Sequence, residues 1–211
     1  MKLVLDSLGT TKGPMENEDY RLIKLCLRGK KEAFAKLVDK YNRRVFNLAY
    51  RLTSNPEKAR DISQEAFIKV YKSLANYNPE YKFSSWLLKT VNNLCIDYHR
   101  SKKASNASLE KIIESGAEGL LLSGANNSVT TEELVEEKLE QLELKSIIRE
   151  GIDLLPMDYK SVLVFRHIQS LSYKEISQIL DLPMGTVKAR IFRARKLLKG
   201  FLETKIPEDK R

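Results

Sequence analysis

The stretch Leu171-Ser-Tyr-Lys-Glu-Ile-Ser-Gln-Ile-Leu-Asp-Leu-Pro-Met-Gly-Thr-Val-Lys-Ala-Arg-Ile-Phe-Arg-Ala-Arg195 decides how this 211-residue chain folds. Ser172 and Glu175 have the S-x-x-E spacing of a capping box, in which hydroxyl and carboxylate each satisfy a backbone amide at a helix start. A short helix over 173–180 follows. Asp181-Leu182-Pro183 interrupts it, since proline carries no amide hydrogen for the helical ladder. Val187, Ile191, Ala194 and Leu198 then recur at i, i+4, i+7 and i+11, so a longer helix running to about Phe201 buries one stripe. Short helix, turn, longer basic helix is the helix-turn-helix arrangement.

From Met184 to Gly200 this last helix carries six cations (Lys188, Arg190, Arg193, Arg195, Lys196 and Lys199) and no anion. A solvated helix usually mixes signs, because Glu–Lys pairs at i, i+4 stabilise it by about 0.2–0.5 kcal/mol each. Cations without such partners suit phosphates. Residues near the helix N-terminus reach base edges first, which singles out Thr186, Lys188, Ala189, Phe192 and Arg193, with Arg190 and Lys196 on the same DNA-binding surface. Arg and Lys match guanine O6 and N7, whereas Ala and Phe match a thymine methyl. Phe192 also fits the edge of the buried stripe.

Working outward, helical spacing persists and almost nothing reads as strand. Ala33, Phe34, Leu37, Val38, Tyr41, Val45, Leu48, Ala49 and Leu52 form a helical stripe over 31–53. Asn55-Pro56 supplies an N-cap with proline at the first helical position. The helix after it, about 56–75, buries Ile62, Ala66, Val70 and Leu74 and presents Asp61, Gln64, Glu65, Ile68 and Lys72. A further helix is expected from Ser84, with Phe83 and Leu88 stapled across the cap, to about Arg100. Cys95 lies on its inward side and reads as a small core residue. Leu139, Leu142, Ile147, Ile148, Ile152 and Leu155 mark a long helix stopping at Pro156, and a helix over 157–168 follows. The fold class is all-α.

Charge is distributed unevenly. Residues 1–103 carry 21 basic and 11 acidic side chains, residues 104–143 carry 2 and 9, and residues 144–211 carry 14 and 8, within a total of +9. Two basic modules joined by an acidic connector suit a polyanionic partner that the connector avoids. Ser101–Thr131 is rich in Ser, Gly, Asn and Ala without sustained period, as a linker is, with a helical turn expected around Leu109–Ile113. The resulting division is an extension (1–17, expected to be disordered), a helical domain (18–103), an acidic flexible linker (104–133), a helix-turn-helix domain (134–205) and a tail (206–211). Two cysteines and two histidines exclude a disulfide-dense scaffold and leave little for structural zinc, so no metal or cofactor is expected. The longest apolar runs are a few residues, too short for a membrane span or signal peptide, and a cytoplasmic setting is expected.

The helix-turn-helix segment resembles the promoter-reading module of bacterial sigma-70 family sigma factors, most of all their extracytoplasmic-function group, though a response-regulator output domain is also similar. The N-terminal half favours the former. Asp61-Ile-Ser-Gln-Glu-Ala-Phe-Ile-Lys-Val-Tyr71 resembles the family's core-polymerase-binding helix, and Phe83-Ser-Ser-Trp-Leu-Leu-Lys-Thr-Val-Asn-Asn-Leu-Cys-Ile-Asp-Tyr-His-Arg100 its −10-element helix. The likeness covers roughly 18–103 and 134–203. Residues 1–17 extend beyond the family's usual start, and Met15 is an alternative initiator.

The resemblance implies partners and roles: core RNA polymerase, through the β′ coiled coil and the β flap; promoter DNA; and an anti-sigma factor. It implies no small-molecule substrate, no catalysis and no membrane insertion. Asp61, Gln64, Glu65 and Ile68 would dock on polymerase. An Asp61–Glu65 pair at i, i+4 is repulsive by itself, and a basic partner surface would relieve it. Asn76, Tyr77, Tyr81, Lys82, Trp86, Lys89, Asn93 and Arg100 would hold the melted −10 strand, through aromatic stacking, edge hydrogen bonds and phosphate contacts. Trp86 fits the core equally well. Lys188, Ala189, Phe192 and Arg193 match the −35-reading positions.

Elements about 16 base pairs apart lie roughly 55 Å apart along the duplex. A flexible connector of about 30 residues averages roughly 30 Å end to end and reaches about 100 Å when stretched. The linker therefore spans the elements only when pulled out, and the free chain is expected to bind promoters poorly. Two other readings compete: a helix-turn-helix regulator with an unrelated N-terminal helical domain, and a DNA-processing enzyme such as a recombinase. The second needs a nucleophile or carboxylate metal cluster on a mixed α/β scaffold, and the sequence displays neither.

Overall fold

The computed structural model describes residues 18–113 and 134–205, and the side chains of these outside 103–141. The elements run α1 (Glu18–Leu27), α2 (Lys31–Thr53), α3 (Pro56–Lys72), a 3-10 turn (Leu74–Asn76), α4 (Phe83–Ile113), α5 (Leu134–Asp153), α6 (Met157–His167), α7 (Tyr173–Leu180) and α8 (Met184–Lys205), with no strand among the described residues. The chain divides into two compact units, Met1–Tyr50 with Asn55–Asn92, and Arg51–Ser54 with Asn93–Arg211.

Helix starts follow the local chemistry. Asn55 is extended and its side-chain oxygen accepts the Lys58 amide at 2.9 Å, with Pro56 behind it. In α7 the capping box is complete: Ser172 Oγ accepts the Glu175 amide at 3.2 Å, and the Ser172 amide donates to Glu175 Oε2 at 3.0 Å. Asp181 ends α7 in the left-handed region at φ 56°, its amide bonded to the Ser177 carbonyl. Replacing Ser172 by Ala removes the cap and is expected to cost about 1 kcal/mol, read as a lower urea midpoint for the full chain.

Two expectations are corrected. Helix α4 begins at Phe83 rather than after a Ser84 cap, so Phe83 is a fully buried helical residue and not a staple outside the helix. It also continues to Ile113, into what composition assigned to the linker, because no Pro or Gly intervenes before Gly116. Leu142, one of the apolar positions that mark α5 in the sequence, is 61% exposed, whereas Ile147 and Ile148 are half-buried. Helix α1 was not anticipated as an element. The extension, residues 114–133 of the linker and the tail lie outside the described residues.

The first unit is built around Leu37, Val45, Leu48, Ala66, Val70, Phe83, Leu87 and Val91, all fully buried. In the second, α6 and α5 pack on α8, and α7 bridges α6 and α8. Val162, Phe165, Ile176, Ile179, Val187 and Ile191 are buried there, and Leu155, Leu163 and Ala194 form a cluster with Ile152, Tyr159 and Leu198. At Gly151 helices α5 and α8 approach closely: a Cβ would stand 2.6 Å from Phe201 Cδ1 and 2.7 Å from Leu198 Cδ1. Cys95 is buried, as expected, and burial pushes its thiol pKa up to about 12, so it is inert as a nucleophile.

Candidate polymerase and nucleic-acid interfaces

On α3 the buried stripe Ile62, Ala66, Phe67 and Val70 turns the opposite side outward. Asp61, Gln64, Glu65 and Ile68 are all exposed there, Ile68 by 53%. The supposed repulsion between Asp61 and Glu65 is already answered within the helix. Lys58 pairs with Asp61 at 3.0 Å and Lys69 with Glu65 at 3.0 Å, so the charge argument for a basic partner falls away. Both pairs are solvent-exposed, where such bridges contribute at most about 1 kcal/mol, and a partner can replace them at little cost. Beside this face lies an apolar groove of about 440 Å³ lined by Phe34, Phe67, Ile68 and Tyr71, with Lys31 and Lys72 on its wall. Phe34 contacts Tyr71 at 4.8 Å between ring centroids. Ile68 belongs to both surfaces, so face and groove are continuous. Sequence periodicity places Phe34 on the α2 stripe but does not reveal that it meets Tyr71.

The loop between the 3-10 turn and α4 carries the aromatic residues expected to hold a melted strand. Tyr77 and Trp86 are half-buried with centroids 5.5 Å apart and planes at 34°, and both lean on Phe83, each at 6.1 Å. Trp86 is therefore neither core nor free: one side is packed and the other remains accessible. The Tyr77 hydroxyl donates to the Tyr81 carbonyl at 2.5 Å, which fixes the loop. Burial, with the Asp19 charge second, raises the Tyr77 pKa. Asn76, Tyr81 and Lys82 are exposed and Lys89 is half-buried on α4. Asn93 and Arg100 are exposed farther along α4, on the part counted with the second unit.

In α8, Val187, Ile191 and Ala194 are buried and Lys188, Ala189, Phe192, Arg193 and Lys196 are exposed, with Thr186 and Arg190 half-buried. Phe192, 70% exposed, does not belong to the core stripe. The cations do not all lack partners. Arg190 pairs with Asp158 at 3.3 Å, and Lys199 with Glu203 at 3.6 Å because α8 extends past Phe201. Arg195 donates to His167 Nε2 at 3.0 Å, and burial together with Arg195 and Arg166 holds the His167 pKa below its usual value. Lys188, Arg193 and Lys196 make no ion pair among the described residues. They leave an anion-seeking strip beside Phe192, whose apolar ring stands exposed.

The family models "Sigma-70 region 2" and "Sigma-70, region 4" match residues 37–105 and 145–198. The ECF RNA polymerase sigma factor SigW of Bacillus subtilis is 38% identical over 88% of this chain and 97% of its own length. The chain belongs to the extracytoplasmic-function sigma factors. The sigma factor's fold is that of two solved relatives. CnrH, in complex with the cytosolic domain of CnrY, has a TM-score of 0.63 at 19% identity, over 90% of this chain and all of that one. RpoE of Bartonella quintana, in complex with the anti-sigma factor NepR, has a TM-score of 0.56 at 16% identity, over 81% of this chain and 96% of that one. The region 2 match includes the α3 face and the aromatic loop, and the region 4 match includes the helix-turn-helix of the sigma factor. Among its described residues no helix is long and apolar enough to cross a membrane.

Proposed function

We propose that this sigma factor directs core RNA polymerase to promoters bearing two separated elements, as a non-enzymatic initiation subunit acting in the cytoplasm. The observation that carries the reading is the coincidence of both matched regions with surfaces free for partners. Asp61, Gln64, Glu65 and Ile68 stand out from α3, and Lys188, Phe192 and Arg193 stand out from α8. The α3 face and its groove dock on the β′ coiled coil, while the β flap takes a surface of the helix-turn-helix domain. Tyr77 and Trp86 stack on bases of the melted −10 strand, Asn76, Tyr81 and Asn93 contact its edges, and Lys82, Lys89 and Arg100 neutralise phosphates. Thr186, Lys188, Ala189, Arg190, Phe192, Arg193 and Lys196 read and position the −35 element, Arg190 by exchanging Asp158 for phosphate. The modules 18–103 and 134–205 are held apart by polymerase with the acidic connector between them. An anti-sigma factor, like the NepR bound to RpoE, keeps the protein inactive.

Run-off transcription with core polymerase on a randomised promoter library tests this. Two enriched motifs about 16 base pairs apart are expected, with about 55 Å between them. Absence of transcription with core, alongside sequence-specific binding by the free chain, would instead favour a helix-turn-helix regulator.

A further inference from the structure

Helix α1 precedes the region 2 match, which starts at residue 37, yet it is joined to the aromatic platform by a continuous set of contacts. Asp19, in the first turn of α1, is 4% exposed. One carboxylate oxygen accepts the Tyr41 hydroxyl at 2.5 Å and the other the Lys40 ammonium at 2.7 Å, so the side chain bridges α1 to two neighbours on α2. The Tyr41 ring stands 5.6 Å from Phe83, and Phe83 is the fully buried ring on which both Tyr77 and Trp86 lean. Helix α1 also packs against the 3-10 turn Leu74–Asn76 from which the loop departs.

We propose that Asp19 is a positioning residue for strand capture: by holding the Tyr41 hydroxyl it fixes the Tyr41–Phe83 contact and thereby the angle between Tyr77 and Trp86. The inference rests on the assignment of those two rings to the −10 strand. The physical reason is that a half-buried aromatic pair has little to orient it on its open side. Its geometry comes from the ring beneath, and Phe83 has no polar group to anchor itself. A charge-assisted hydrogen bond, about twice as strong as a neutral one, supplies that anchor one residue away. The Asp19 charge also contributes to the raised Tyr77 pKa, which places the carboxylate electrically close to the platform.

Trp86 is the only tryptophan of the chain, so its fluorescence reports on the platform alone. Wild type, Asp19→Asn and Tyr41→Phe are compared as full chains. The measurements are acrylamide quenching of Trp86, Trp86 quenching by a single-stranded DNA pool of randomised sequence, and affinity for core polymerase. Both variants are expected to expose Trp86 further and to bind the pool about tenfold more weakly, the loss of one base–aromatic stack, with polymerase affinity unchanged. Tyr41→Phe removes one oxygen atom and keeps the ring, so it decides the matter if Asp19→Asn does not fold. Unchanged Trp86 accessibility and DNA binding in the variants overturn the proposal. So does an equal loss of polymerase and DNA binding, which marks a general folding role. If wild-type Trp86 does not respond to the DNA pool at all, the −10 assignment itself fails, a result distinct from the other two.

Discussion

Replacing Arg193 by Glu is expected to abolish selection at the −35 element while leaving the affinity for core polymerase unchanged. Arg193 is exposed on α8 and makes no ion pair among the described residues, so the substitution removes no internal support. Exposed substitutions of that kind stay within about 0.5 kcal/mol of wild-type stability. A bidentate contact to guanine is worth about 1–3 kcal/mol of discrimination, and the reversed charge adds repulsion from phosphates. Together these predict at least about a hundredfold loss in transcription from promoters that depend on their −35 element. Arg193→Ala separates the two contributions. A base reader loses preference at one position with little change in salt dependence, whereas a phosphate contact weakens all sequences and lowers the salt slope by about one. Loss of polymerase binding in Arg193→Glu would defeat the division of labour between α3 and α8.

Truncating Phe165 to Ala should be the most damaging single change to the helix-turn-helix. Phe165 is fully buried on α6, the helix that packs on both α7 and α8. Removing a buried phenyl ring costs about 3–5 kcal/mol, combining lost transfer energy with the cavity left behind. Domains of this size have only about 5–15 kcal/mol in total. Urea titration of the full chain, followed by far-ultraviolet circular dichroism, should show part of the helical signal lost at much lower denaturant. A shift equivalent to less than about 1 kcal/mol would mean that the surrounding helices close over the gap.

The two faces differ in how far they can be read from sequence. The α3 surface is legible because Ile62, Ala66 and Val70 leave the Asp61–Ile68 side outward at a 3.6-residue period, and its capping Asn55 is adjacent in the chain. Its charge balance is local as well: Lys58–Asp61 at i, i+3 and Glu65–Lys69 at i, i+4 stand at the spacings of helical ion pairs, so the Asp61–Glu65 repulsion is only one part of it. On α8 the stripe is legible, but Phe192 sits where it could join the core or leave it, and only the packing of α6 and α7 against α8 excludes it. Helix α1 has few residues and offers only Leu22 and Ile23 as buried apolar positions, too weak a period to announce itself.

The order of the helices from α2 to α8, the caps at Asn55 and Ser172, the turn at Asp181–Pro183 and the outward direction of both candidate faces follow from the sequence alone, because each depends on residues within about one or two helical turns of one another. Which cations of α8 remain available, how Trp86 is half covered, and that Asp19 reaches the platform through Tyr41 and Phe83 were decided by tertiary structure. The Asp19–Tyr41, Tyr41–Phe83 and Arg195–His167 contacts join residues more than twenty positions apart, and the nearer contacts of Trp86 with Tyr77 and Phe83 take their geometry only once the helices have packed.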